Sequence, residues 1–212
     1  MTASISLFLY ALLSLVHLTT ADSNDNIRRA TKPLLMPLLW LSYVLLDGSN
    51  SWVSLALLGA WAGDIALLSH SKKAFMTGLV SFLLGHLAMI MAIVTLLSEV
   101  SSILWTSIIA TKLIIALGAF AYLRPHLGQL QVPVLVYCLV LASKGIVAIG
   151  LAWHVGGFWA WCLAAGALVF MVSDLTLAIN RFVKPLPKPH FWIMSSYTLA
   201  QGMIVLSMLQ LA

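Results

Sequence analysis

Charge is the scarcest property of this 212-residue chain: Asp, Glu, Lys and Arg make up 8% of it, against about 25% in soluble domains. So small a share excludes an ordinary soluble globule. With 62% hydrophobic residues, the chain is also too apolar to remain disordered in water. Cysteine is nearly missing, and the two present, Cys138 and Cys162, fall inside apolar runs, where a small buried thiol is the ordinary reading and redox chemistry gains no support. There is no His-Glu-x-x-His zinc motif, no Gly-x-Ser-x-Gly nucleophile elbow and no glycine-rich phosphate loop, which removes several hydrolase and nucleotide-binding chemistries. A bis-His haem would have only His17 and His86 to draw on. The net charge of +5 does not imply a nucleic acid partner, because Lys and Arg in so apolar a chain set topology first.

What the chain does have is long apolar runs. A helix needs about 20 apolar residues to cross the hydrocarbon core, and such runs lie at roughly 3–20, 33–47, 52–69, 74–97, 102–122, 132–151, 155–180 and 190–211. The expectation is an all-α polytopic protein, one integral membrane domain of eight transmembrane helices. The connections after the odd-numbered runs carry Arg28, Arg29, Lys32, Lys72, Lys73, Arg124, Arg181, Lys184 and Lys188, nine of the eleven basic residues. The positive-inside rule then puts those connections in the cytoplasm and both termini outside; the expected location is the inner (cell) membrane of a bacterium. The first run is read as a span rather than a cleaved signal, since no basic residue precedes Arg28. The third and seventh runs share a pattern, Gly63-Asp64-Ile65-Ala66-Leu67 and Ser173-Asp174-Leu175-Thr176-Leu177, which points to two parallel four-helix halves.

Four ionisable residues other than His and Tyr sit well inside the runs: Asp64, Lys112, Lys144 and Asp174. Each costs about 2.5–3.5 kcal/mol at a helix centre, so such residues face a cavity or a partner. Counted from the cytoplasmic ends of their runs, the aspartates come out at one depth, about 8–9 Å below the inner surface. Two carboxyls at one depth, if coupled, divide into an acid and a base. Gly59 and Gly63 allow close helix approach beside Asp64. On the fourth run Gly78, Ser81, Phe82, Gly85, His86 and Met89 recur at helical spacing, and on the last Tyr197 and Gln201 share a face. Three readings stay open: an intramembrane enzyme, a proton-coupled small-molecule or lipid transporter using the same aspartates, and a structural protein in which each aspartate pairs with Lys112 or Lys144.

The ordered set Lys32-Pro33, Gly63-Asp64, Gly78-Leu79, Phe82, Gly85-His86, Gly166-Ala167, Ser173-Asp174, Arg181-Phe182 and Tyr197-x-x-x-Gln201 resembles the YhhN-type lysoplasmalogenase family. The likeness spans about residues 32 to 205, with Met89 as a departure where an aromatic residue often follows the Gly-His pair. It implies an eight-helix hydrolase that cleaves the vinyl ether bond of a lysoplasmalogen, an alkenylglycerophosphocholine or -ethanolamine, to a fatty aldehyde and the glycerophospho alcohol. It also implies that Asp64 and Asp174 are the catalytic pair. No metal or other cofactor is expected, and the partner is a lysophospholipid substrate amid membrane lipids. Vinyl ether hydrolysis needs a carboxyl that keeps its proton near neutral pH to protonate carbon, and a second carboxylate for the cation and water. Asp174, flanked by Val172 and Leu175, is the expected acid. Lys32 is placed for the lipid phosphate, and His86, Ser173, Tyr197 and Gln201 complete the expected substrate-binding set.

Overall fold

A computed structural model describes residues 2–69, 71–97 and 102–211, with the side chains of residues 2–3, 102–108 and 112 excepted. Lys112, one of the four intramembrane ionisable residues, therefore lies outside the described side chains. The described residues form helices throughout: α1 (Thr2–Thr20), α2 (Asp25–Leu45), α3 (Ser51–Ala66), α4 (Lys72–Val94), α5 (Ser102–Leu127), α6 (Gln131–Val155), α7 (Gly157–Ala178) and α8 (Pro189–Leu211). Four stretches have the length and hydropathy of a membrane span: Lys72–Val94, Ile109–Val155, Gly157–Val183 and Pro189–Leu211. The second, at 47 residues, would be about 70 Å long if straight. Instead the chain folds back at Gly128, whose φ of 52° suits glycine alone, and α5 packs along α6. Ser4–Thr20 and Ser51–Ala66 are apolar but shorter.

Helix α2 begins eight residues before the expected start of the second span. The Asn24 side chain accepts hydrogen bonds from the backbone N–H groups of Asn26 and Ile27, which satisfies the open N-terminus. Asp25 then bonds Arg28 at 2.5 Å and Arg29 at 2.6 Å, one turn on. Arg28, Arg29 and Lys32 thus stand on a helix rather than in a loop, and the first two turns of α2 are too charged to count as a span. Pro37 has no N–H to give the Pro33 carbonyl. That carbonyl instead accepts the Trp61 indole N–H at 2.8 Å, joining α2 to α3.

The expected one-sided basic end is present. Asp22 takes the backbone N–H groups of His190 and Phe191, Lys72 donates to Gln129 at 3.1 Å, and Arg28, Lys32, Ser69, Arg181 and His190 border one basin. The connections after α1, α3, α5 and α7 therefore meet at one end. At the other, Asn50 of the α2–α3 turn donates its backbone N–H to the Tyr43 hydroxyl and its side-chain amide to Thr95. A five-residue π-helical turn, Ile179–Val183, extends α7. Its extra residue per turn sets Arg181 over the Phe75 ring at 5.4 Å.

Helices α3 and α4 touch through glycine. A Cβ on Gly59 would lie 2.8 Å from the Gly85 backbone and from the Ser81 carbonyl. Backbone has nowhere to retreat, so Gly59→Ala is expected to cost about 1–3 kcal/mol. Gly118, with nothing within 4 Å of a built Cβ, should tolerate Ala within about 0.5 kcal/mol. Thermal unfolding of the two variants in detergent, read against the native protein, checks the contrast.

Candidate active site

Stripes one or two turns apart on five helices converge on the buried Asp64 and the half-buried Asp174. Arg28, Lys32, Leu35 and Leu39 are buried on α2, and Ala56, Ala60, Gly63 and Asp64 on α3. Phe82, Gly85, His86 and Met89 lie along α4, Tyr137, Leu141, Lys144 and Ala148 along α6, and Met194, Tyr197, Gln201 and Ile204 along α8. These spacings of three, four and seven keep each set on one helical face. Asp64 stands in the last turn of α3, and Asp174 one turn before α7 passes into its π turn.

Asp64 is 2% exposed and met from two sides. The Tyr197 hydroxyl donates to its Oδ2 at 2.7 Å, and the Lys32 ammonium lies 3.3 Å from Oδ1. Lys32, expected at a lipid phosphate, is thus also the counter-ion of an aspartate. Gln201, one turn beyond Tyr197, interacts with the same hydroxyl. The edge of Phe82 packs against Tyr197 with ring centroids 6.1 Å apart.

Asp174 has a different environment. The Tyr137 hydroxyl donates to its Oδ2 at 2.5 Å. His86 approaches from behind, its Nε2 being 3.1 Å from the Tyr137 oxygen and 3.8 Å from the carboxylate. Behind His86 stands Lys144, 1% exposed, with Nζ 3.3 Å from His86 Nδ1 and 3.7 Å from the Phe170 ring centroid. Lys144 therefore meets a histidine and an aromatic face rather than an aspartate, contrary to the structural-pair expectation. The two sets meet at Phe170, whose ring centroid lies 4.8 Å from that of His86 and 5.6 Å from that of Tyr197.

Two cavities adjoin this cluster, one at Asp174 and one at Lys32. The larger, about 260 Å³, is bordered by α4, α5, α6 and α7, with Asp174 and Tyr137 on a wall otherwise made of residues such as Phe82, Leu123, Leu141 and Met171. The second, about 100 Å³, is the basin at the basic end, walled by Arg28, Lys32, Asn180, Arg181 and His190. Leu67, Phe75 and Leu177 border both. The geometry suits an amphiphile, with an apolar body beside Asp174 and an anionic head among cations.

Of the residues singled out from sequence, Asp64, Asp174, Lys32, Tyr197, His86 and Gln201 come together. Ser173 does not join them. Its hydroxyl donates to the Ile193 carbonyl at 2.9 Å and ties α7 to α8. Sequence reasoning did not include Tyr137 among the site residues, nor Arg28 and Arg181 of the basin, which it read as basic loop residues; for Tyr137 a signal existed. The available signal was its seven-residue spacing from Lys144, which puts both on one stripe of α6.

The YhhN family profile matches residues 27–208. Lysoplasmalogenase TMEM86A of Bos taurus is 32% identical over 173 residues, which cover 79% of this chain and 69% of the relative. Lysoplasmalogenase TMEM86B of Mus musculus is 31% identical over 181 residues, 84% and 73% of the two chains. A lysoplasmalogenase of Mycobacterium bovis is 31% identical over 160 residues, 72% and 58%. No solved structure matches the chain. The apolar helices, the one-sided basic end and these relatives agree on an integral membrane protein, and the chain belongs to the YhhN family.

Proposed function

We propose that this protein is an intramembrane lysoplasmalogenase, hydrolysing the vinyl ether bond of an alkenylglycerophosphocholine or -ethanolamine to a fatty aldehyde and the glycerophospho alcohol. The observation that carries this reading is the position of Asp174, a carboxyl on the wall of an apolar cavity beside a cationic basin. The alkenyl chain occupies the apolar cavity, and the phosphate reaches Arg181, Arg28 and Lys32 in the basin. Arg181 and Arg28 present planar forks suited to phosphate oxygens.

The asymmetry between the aspartates supports a division of labour. Asp64 has an ammonium 3.3 Å away and serves as the ionised partner. Asp174, with a phenol on Oδ2 and a largely hydrocarbon wall around it, faces the alkenyl chain and serves as the acid. Asp174 gives its proton to the β-carbon of the vinyl ether: a C–H bond forms, the carboxyl O–H bond breaks, and an oxocarbenium ion results. The Asp64 carboxylate stabilises that cation and accepts a proton as water adds. The hemiacetal then passes its hydroxyl proton to the leaving oxygen, the C–O bond breaks, and aldehyde and alcohol separate. No covalent enzyme intermediate is required.

The reading includes two parallel halves, α1–α4 and α5–α8, crossing the membrane eight times. The partners of the aspartates support it. Asp64 takes one partner from the preceding helix of its own half and one from α8, while Asp174 takes Tyr137 from its preceding helix and His86 from α4, the last of the other half. The basic end lies in the cytoplasm, so a reporter fused to the C-terminus should read as extracytoplasmic; a cytoplasmic signal overturns the orientation.

Purified protein in detergent should release aldehyde from a lysoplasmalogen, and Asp174→Asn should lower kcat/KM by about 10²–10⁴ without loss of the folded species. Asp64→Asn should act on kcat to a similar degree. Full turnover in both Asn variants overturns the mechanism. Arg181→Gln should raise KM with kcat nearly unchanged, the mark of binding lost equally from ground and transition states. A fall in kcat alone would remove Arg181 from the headgroup site.

A further inference from the structure

The reaction above leaves Lys144 unexplained. A lysine 1% exposed in the middle of an apolar helix is costly, and this one touches neither cavity wall at Asp174. Its contacts form a line. As an ammonium, Lys144 Nζ can only donate to His86 Nδ1, and that tautomer leaves Nε2–H as the donor of the neutral ring. His86 Nε2–H points to the Tyr137 oxygen, and the Tyr137 hydroxyl donates to Asp174. Every hydrogen bond runs in one sense, towards Asp174. A proton entering His86 at Nδ1 from Lys144 releases one from Nε2 to Tyr137, which passes its own to Asp174.

A third, smaller cavity of about 20 Å³ lies at the other end of this line, bordered by Lys144, His86 and Gln201 together with Ala56, Ala60 and Met89. That is room for one water with three polar neighbours, the ordinary setting of a buried water. Gln201 interacts with Tyr197, and Tyr197 donates to Asp64. The two aspartates, each bonded to a different tyrosine, are therefore the ends of one polar chain.

Hydrolysis gives this chain a task. In each turnover the acid loses a proton to carbon and the base gains one from water, so a second turnover needs one proton carried from base to acid. We propose that Lys144, His86 and Tyr137 form a proton line into Asp174, closed through a single water to Gln201, Tyr197 and Asp64, which returns that proton inside the protein. The proposal rests on the acid and base roles given above to the two aspartates. Lys144 is a positioning residue that holds the proton and sets the His86 tautomer.

The test fills the water site from a residue outside the machinery. Ala60→Val places two methyl groups in the small cavity, while Ala60→Ser keeps it polar. With enzyme in excess over lysoplasmalogen, one turnover needs no reset, and Ala60→Val should release aldehyde within twofold of the native rate. With substrate in excess its kcat should fall at least tenfold, and Ala60→Ser should stay near native. Lys144→Met should show the same split. Equal losses in the single and the repeated turnover, or no loss in either, overturn the line.

A second measurement needs no substrate. The infrared C=O bands of the two protonated carboxyls, assigned with Asp64→Asn and Asp174→Asn, are followed after transfer into D₂O at acidic pH. They should exchange together in the native protein and at least tenfold apart in Ala60→Val. Bands that exchange together in both proteins overturn the proposal, even if the native protein releases no aldehyde and the hydrolase reading itself falls.

Discussion

A carboxylate surrounded by hydrocarbon has to be met by donors on other helices, and this requirement organises the molecule. Asp64 draws Lys32 from α2 and Tyr197 from α8, and Asp174 draws Tyr137 from α6 with His86 of α4 behind it. Six helices are thereby tied through two side chains. Removing one partner of such a group is destabilising because the other is left buried and unpaired. The glycine contact between α3 and α4 serves the same end, since short side chains reach across only where backbones nearly touch.

The two carboxyls are equivalent in pattern and unequal in surroundings. One faces an ammonium and lies behind the cationic basin; the other faces a phenol and an apolar cavity. Two acids in identical settings would be interchangeable, whereas the unlike neighbours of this pair give it a direction. The proposed vinyl ether hydrolysis uses that direction, with the acid beside the chain slot and the ionised carboxylate beside the charged end. The proposed polar line behind the aspartates, with its one enclosed water, offers what an apolar cavity cannot, a way for a proton to move without bulk solvent.

Much of this was legible in the residues. The helix positions follow from apolar runs, and the basic end follows from where Arg and Lys stand. Asp64 and Asp174 were conspicuous because acids are so few in the chain. The helix that carries the second apolar run starts before that run, because Asn24 and the Asp25–arginine contacts carry α2 through a charged stretch that hydropathy alone does not register. Ser173 was drawn in by its neighbour Asp174, although one step along a helix turns a side chain by about 100° and here turns it towards Ile193.

Sequence alone determined the all-helical membrane class, the one-sided basic end and the candidate acids, because each rests on local composition and on the high cost of charge in hydrocarbon. Only the tertiary structure decided which donor meets which acid. Lys32 could have served the lipid alone, Lys144 could have paired with an aspartate, and Tyr137 was one aromatic among many. Those choices depend on how helices separated by up to 133 residues along the chain rotate and cross, and a stripe of residues on one helix carries no record of the face it will meet.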